Sequence, residues 1–351
     1  MTKKQQKKPP KTQLSSIQLD LFSQFITNDE SEVSNSVEYW ENIPKYFLTT
    51  KQTQALRNTE GLAKPYEWHY TIRNKDGSIT PYKVEIQPAL IKQKDGDYKA
   101  FFPTKTEENI EEVLKKIFTK QQYGIHDAKN LESWVKFSYS MIRRELYRMN
   151  CGLRHDQIKQ SLEIMSKCIL TVWKDEKEVY TGAILQNYCS VDRQDYLEDR
   201  DTLHAAQLPV FLSHSINKLQ YRQYNYLRFM KLKEQLTGYL YKRLVNRYIQ
   251  ANFTNTYSFM YSDVKQGSGL LQQKREVDNR RKTLSSLKEL KANGVISSYE
   301  IDERKKGRKI EDIKYTIWPS TDFIAEQKAA NKRASEGDKK AINNNLPVVG
   351  K

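Results

Sequence analysis

The sequence predicts an α+β protein: two winged helix-turn-helix domains in tandem, a small antiparallel β meander, and disordered N- and C-terminal tails. Three observations predict it. A motif recurs at an offset of 122 residues, with F-S-Y-S at Phe137 to Ser140 matching F-M-Y-S at Phe259 to Ser262. Ile142 then matches Val264, and Leu162, Met165 and Cys168 match Leu284, Leu287 and Leu290. Each copy runs on into a pair of β-prone stretches joined by a charged loop: Ile169 to Trp173 and Val179 to Leu185 in the first, Val295 to Tyr299 and Ile313 to Trp318 in the second. Two Asp-Gly pairs, Asp76-Gly77 and Asp95-Gly96, each sit between β-prone runs and read as hairpin turns.

Residues 1–32 read as a disordered basic tail, with five lysines in the first eleven residues and little apolar surface to bury. An apolar knot, Q-L-D-L-F at Gln18, Leu19, Asp20, Leu21 and Phe22, interrupts it. By itself this stretch reads as a turn folding back, with Leu19, Phe22 and Phe25 as a staple. Residues 33–190 form the predicted N-terminal winged-helix domain, including a single meander over Trp68 to Phe102. A helix starts near Thr106, with Glu107 and Glu108 at its positive end and Ile110, Val113, Leu114 and Ile117 on one face.

In the first copy, Cys151-Gly152-Leu153 is the turn, Gly152 is suited to ending a helix, and Asp156 can cap the next one unless it starts earlier. Residues 191–225 read as linker and strands, with D-R-Q-D-Y-L-E-D-R-D at 192–201 as the linker proper and a strand-like stretch at 208–221. A long helix is expected from Tyr226 to Tyr248, its stripe of Phe229, Leu232, Leu236, Leu240 and Leu244 facing the core rather than a zipper partner. The C-terminal winged helix spans 226–320, with Gly267-Ser268-Gly269 at its turn. Ile158 falls on Arg280, so the two third helices are expected to start differently. Residues 321–351 read as a second disordered tail.

Charge points to the partner. Against 43 Asp plus Glu stand 59 Lys plus Arg, a net +16 that calls for a polyanion, nucleic acid before membrane. No apolar run is long enough to span a bilayer and no signal core opens the chain, so a cytoplasmic protein is expected. Cys151, Cys168 and Cys189 are scattered, as in a reduced compartment. There is no phosphate-cradling G-x-x-x-x-G-K-[ST] loop, and the five histidines lack metal-ligand spacing. The expectation is a binding protein with no catalysis, no metal and no cofactor.

In a winged helix the second helix of the helix-turn-helix lies in a major groove. In the first copy Ile158, Leu162, Met165 and Ile169 form its buried stripe, leaving Arg154, His155, Gln157, Lys159 and Gln160 as candidate DNA contacts, with Arg143, Arg144 and Arg148 on the preceding helix. In the second, Val277 and the leucines form the buried arc, and Lys274, Arg275, Asp278, Arg281, Lys282 and Ser285 share the opposite face. Arginine and amide side chains pair with base edges, whereas lysines mostly answer phosphates. A basic wing, Arg304, Lys305, Lys306, Gly307, Arg308 and Lys309, completes the second copy. The first wing, Lys174 to Glu178, is nearly neutral and is given no strong role.

In order along about residues 33–320, S-V-E-Y-W-E-N-I-P-K-Y-F, the meander, F-S-Y-S-M-I-R-R-E-L, Q-I-K-Q-S-L-E-I-M-S-K-C-I, L-Q-Y-R-Q-Y-N-Y and Y-T-I-W-P-S resemble the bacterial plasmid replication initiators built from tandem winged helices. The resemblance implies binding to direct repeats in double-stranded plasmid origin DNA, help in opening the duplex, and recruitment of host replication proteins such as helicase-loading factors. It also implies plasmid copy control, and dimerisation as well as DNA contact for the first winged helix. A transcriptional autorepressor of the same architecture is the alternative. In such a family Q-L-D-L-F matches the consensus by which bacterial replication proteins dock on the sliding clamp.

Overall fold

The computed structural model describes Phe22, Phe25 and residues 32–343, apart from 75, 121, 149–150 and 192–202, with backbone alone at 337, 338 and 340–343. The expected linker at 192–201, most of the first tail and residues 344–351 lie outside the described residues.

Strand β1 (Val33–Ser36) leads through α1 (Glu38–Glu41) to α2 (Thr50–Ala55), where Thr49 and Gln52 cap each other. Two hairpins follow, β2 (Tyr66–Arg73) with β3 (Ile79–Gln87) and β4 (Ala89–Lys92) with β5 (Tyr98–Phe101). Gly77 and Gly96, at φ 86° and 95°, turn them at the two Asp-Gly pairs. The hairpins do not form the single meander expected. Instead β3 pairs with the first wing, β8 (Ile169–Lys174) and β9 (Lys177–Ala183), in the order β2-β3-β8-β9, while β4 and β5 stand apart. The register explains the choice: Val84 and Ile86 of β3 lie opposite Val172 and Leu170, and all four are fully buried.

Between these strands runs α3 (Lys105–Phe118), capped reciprocally by Thr104 and Glu107, with Ile110, Val113, Leu114 and Ile117 buried as expected. It packs on α4 (Tyr139–Tyr147) and α5 (His155–Lys167), and β6 (Gly124–Asp127) and β7 (Glu132–Phe137) connect it to them. Beyond the wing, β10 (Asn187–Cys189) and β11 (His204–Gln207) join β7 and β6 in a second four-stranded sheet. The stretch at 208–221 is not a strand. It holds helix α6 (Val210–Asn217), because Leu212 and Ile216, four residues apart, both point into the core behind Pro209 at the cap. Then β12 (Arg222–Asn225) returns to pair with β1.

The long helix expected from Tyr226 to Tyr248 is two helices, α7 (Tyr226–Lys231) and α8 (Gln235–Arg247). Its apolar stripe is nonetheless buried from Phe229 to Leu244. The break is held open by one carboxylate. Glu289 accepts hydrogen bonds from the amides of Lys233 (2.6 Å) and Glu234 (3.2 Å) and from the Thr237 hydroxyl (2.6 Å), satisfying the exposed start of α8. The second unit follows as β13 (Tyr257–Met260), α9 (Tyr261–Ser268), α10 (Glu276–Ala292) and the wing β14 (Ile296–Lys306) with β15 (Lys309–Pro319). These strands make one sheet ordered β13-β15-β14. Gly269 ends α9 at φ 67°, and a Cβ there would come within 2.9 Å of the Phe47 ring. The second tail is not disordered over 321–343: it is helix α11 (Thr321–Asn343), anchored by buried Phe323, Ile324 and Ala330, with the Ser320 hydroxyl accepting from the Phe323 amide.

A buried ionic network joins the two units. Lys115 of α3 lies 2.8 Å from Glu41 and 2.7 Å from Glu112, and Lys242 of α8 lies 2.9 Å from Glu112 and 3.3 Å from Glu41. Tyr224 donates to Glu112 at 2.5 Å, Tyr46 donates to Glu111 at 2.9 Å, and the Trp40 indole also donates to Glu111. Burial pushes Glu112 up, but Lys115 and Lys242 outweigh it and hold the carboxyl well below its ordinary range. The same balance lowers Glu41. Around this network Arg73 grips Asp263 through two bonds of 2.9 and 3.0 Å, and Arg247 bonds Glu38 at 3.0 Å.

Replacing Lys242 with Met should lower stability by about 3–5 kcal/mol in urea titrations at neutral pH, because Glu112 stays buried with half its compensation gone. Since the folded carboxyls of Glu41 and Glu112 titrate below their unfolded values, their stabilisation is present above the ordinary carboxylate pKa of about 4.3 and lost as pH falls below it. That acid dependence should flatten in the Lys242→Met protein. Glu289→Ala should cost about 1–2 kcal/mol by uncapping α8, read by the same titration.

Candidate nucleic-acid interface

Both copies present the same order of a helix, a strand, a short helix, the candidate recognition helix and a wing, the first with an extra strand, β6, before its β7. The helix starts differ by one residue, as the imperfect repeat leads one to expect. The N-caps are Arg154 for α5 and Arg275 for α10, one residue off the repeat offset. Each capping arginine is forked onto an aspartate, Arg154 on Asp156 at 3.0 and 2.9 Å and Arg275 on Asp278 at 2.8 and 3.2 Å. Asp156 is therefore the partner of the cap and not the cap itself. Gly152 does not end the preceding helix, since α4 stops at Arg148 with ordinary right-handed geometry.

Along α5, Ile158, Leu162 and Met165 are fully buried, while Arg154, His155, Gln157 and Lys159 are exposed and Gln160 is half-buried. The Gln157 carboxamide oxygen is turned back to accept from the Arg154 amide at 2.9 Å. Arg143 and Arg144 are exposed and make no ion pair among the described residues. Arg148 faces the Glu145 carboxylate at 3.4 Å. Next to the start of α5 lies an aromatic group that sequence reasoning missed. Tyr139 stacks on His204 at 4.1 Å, donates to or accepts from Tyr188 at 2.7 Å, and sits 6.1 Å from the His155 ring. Its members come from elements far apart in the chain, so no local pattern announces it.

The buried arc of α10 differs from the one expected. Leu287 and Leu290 are in the core, but Asn279, Thr283 and Ser286 complete the arc, Leu284 is half-buried, and Val277 is exposed. The amide of Asn279 explains its place inside: it exchanges hydrogen bonds with the Gln273 backbone at 2.8 and 3.1 Å, which sets the loop ahead of α10. On the outer face stand Lys274, Arg275, Arg281 and Ser285, with Asp278 between the two arginines. Arg275 and Arg281 are 76% and 72% exposed, and Asp278 bonds both, the second at 3.4 Å. The hydrogen bonds from Arg275 hold the Asp278 carboxyl below its ordinary range. Lys282 departs from the face assigned to it. Its ammonium donates to the Leu270 carbonyl at 3.0 Å, and burial pulls its pKa down.

The two wings are unlike. In the first, β8 is a central strand, and its turn places Asp175 and Glu176 at φ 47° and 65°. In the second, β14 and β15 run 11 residues each, and the tip, turned by Gly307 at φ 61°, reaches past the end of β13. Arg304, Lys305, Lys306, Arg308 and Lys309 are all exposed there. Only Lys305 has an ion pair, with Glu303 at 2.8 Å, among the described residues. No helix of the described residues is long and apolar enough to cross a membrane.

Of the Q-L-D-L-F stretch, Gln18, Leu19, Asp20 and Leu21 lie outside the described residues. Phe22 is 9% exposed, its ring 5.5 Å from those of Phe118 and His126. Phe25 is buried beside Tyr221, and its carbonyl accepts from Asn35 at 2.8 Å. In this conformation Phe22 belongs to the core of the first unit, as the staple reading has it, and must leave that core to meet a clamp.

Comparisons with protein-family models and with curated proteins find no match. Among solved structures, a crystal structure of domains 2 and 3 of RctB is similar over 81% of this chain and 98% of its own, at 10% identity and a TM-score of 0.45. A second crystal structure of RctB domains 2–3 overlaps 76% of this chain and 95% of its own, at 11% identity and 0.42. The Pi initiator protein in complex with iteron DNA overlaps 61% of this chain and 90% of its own, at 12% identity and 0.42.

Phe22→Ala should lower stability by about 3 kcal/mol in a denaturant titration if the ring is the staple. An unchanged midpoint would return the ring to solvent and to other partners.

Proposed function

We propose that the chain is a sequence-specific double-stranded DNA-binding protein that initiates replication at a plasmid origin, with two winged helices reading direct repeats and no catalytic step of its own. The observation that carries the reading is the second unit. Its α10 offers two exposed arginines, pre-set by Asp278, at the end of the helix that enters a major groove, and an exposed basic wing follows at once. Arginine forks match the O6 and N7 acceptors of guanine, while the wing lysines and arginines suit the adjoining phosphates.

The first unit has the same order with less charge. His155, Lys159 and Gln160 at the start of α5, with Arg143 and Arg144, suit a second, weaker contact. Because the buried network holds the two units together, both would engage one duplex, which favours sites repeated at a fixed spacing. Bending or loosening of neighbouring A/T-rich DNA, and recruitment of helicase-loading factors, would then follow from assembling several copies on adjacent repeats. The clamp handle is part of this proposal only through release of Phe22.

The test is binding by the full chain to duplexes made from the DNA flanking its gene, against unrelated duplexes, as salt is raised. We expect affinity to fall by about a thousandfold or more between low and near-physiological salt, for roughly 6–10 neutralised phosphates. Replacing Arg304, Lys306, Arg308 and Lys309 with alanine should lower the log–log salt slope by about 0.9 for each phosphate no longer neutralised, with preference for the cognate sequence retained. Equal affinity for flanking and unrelated DNA would overturn the reading. A plasmid carrying only the gene and its flanks should replicate; specific binding without replication would leave a repressor.

A further inference from the structure

The exposed valine on α10 is out of keeping with the rest of the helix. Leu287 and Leu290 are fully buried and Leu284 is half-buried, yet Val277 is 47% exposed in the first turn. A β-branched residue there gains nothing for the helix, since its stiff side chain costs conformational freedom. It also gains nothing for the core, which Asn279 and Thr283 fill on the opposite side. Val277 lies four residues before Arg281 and so shares its stripe on the helix, and Arg281 is tied through Asp278 to the capping Arg275.

The chemistry of that place is specific. Major-groove edges present acceptors and donors at every base pair, but only thymine adds an apolar knob, its C5-methyl. An exposed arginine one turn from a small branched apolar side chain complements a guanine acceptor pair beside a thymine methyl. We propose that Val277 is a specificity-determining residue that packs on a thymine C5-methyl next to a guanine read by Arg275 or Arg281. This rests on the DNA-binding reading above and adds the base that the second unit selects. A phosphate-facing surface would have no use for an apolar side chain beside its cations, and a protein-docking surface would pair poorly with the charges around it.

The full chain is first used to select a duplex from a random-sequence pool; failure to enrich any sequence would sink the DNA-binding reading itself, and this proposal with it. Each thymine of the enriched duplex is then replaced in turn by deoxyuridine, which removes only the methyl. Loss of one buried methyl should weaken binding about fourfold at one thymine, adjacent to a guanine. Val277→Ala should bind the thymine duplex several-fold more weakly and no longer distinguish thymine from uracil at that position. Its melting temperature, unchanged for an exposed side chain, separates this effect from misfolding. Specific binding that is indifferent to uracil at every position would overturn the proposal. So would a Val277→Ala protein that still loses about fourfold on the same uracil duplex, since the methyl would then be read by another group.

Discussion

The pairing of Glu112 with Lys115 and Lys242 is the contact on which the arrangement of the whole chain depends. Lys115 lies one turn along α3 from Glu112 itself, whereas Lys242 belongs to α8, in the other unit. Glu41, from the short helix before both, touches the two lysines. Glu112, Lys115 and Lys242 have almost no water to fall back on, so each is tolerable only while the other elements are in place. The network therefore acts as a register mark. Apolar surface drives α3 and α8 together, and the ion pairs admit one relative position out of many that would bury similar area.

From that fixed junction the two winged units diverge. They share an element order and nearly the same cap positions, but their strands are wired differently. The short strand of the second unit, β13, pairs with its own wing and leaves the wing tip free. In the first unit β7 is taken into a sheet with β6, β10 and β11, and the wing is taken over by β3. The first wing is thus built into a sheet while the second is an extended basic arm. Charge follows architecture: the arm carries five exposed cations around its turn, and the sheet-bound turn carries Asp175 and Glu176.

On the outer face of α10 the arginines are paired rather than left wholly to solvent. A solvated helix lets its arginines sample many rotamers, but here one aspartate holds two guanidinium groups, and Asn279 sets the loop that delivers the first. Asn279 is placed inside, where its amide bonds the backbone of the loop ahead of the helix. Lys282 goes the other way, its charge turned inward to a carbonyl, which shows that helical spacing alone does not tell a solvent-facing cation from a structural one.

The sequence by itself determined the repeat, the element order of both units, the two Asp-Gly hairpins, the apolar faces of α3 and α5, and the basic character of the second wing. These are local: they follow from residues a few places apart and from the periods of helix and strand. Tertiary structure alone decided the rest. It split the expected meander because Val84 and Ile86 find buried partners in β8, and it broke the expected long helix because Glu289, remote along the chain, caps a new start. It ordered residues 321–343 as a helix through Phe323 and Ile324, seated Phe22 in a core, and turned Val277 outward while taking Asn279 in. Except for Asn279, held by the nearby Gln273 backbone, the deciding partner is distant in sequence, and a pattern read along the chain carries no record of which far-off group will satisfy a hydrogen bond or cover a side chain.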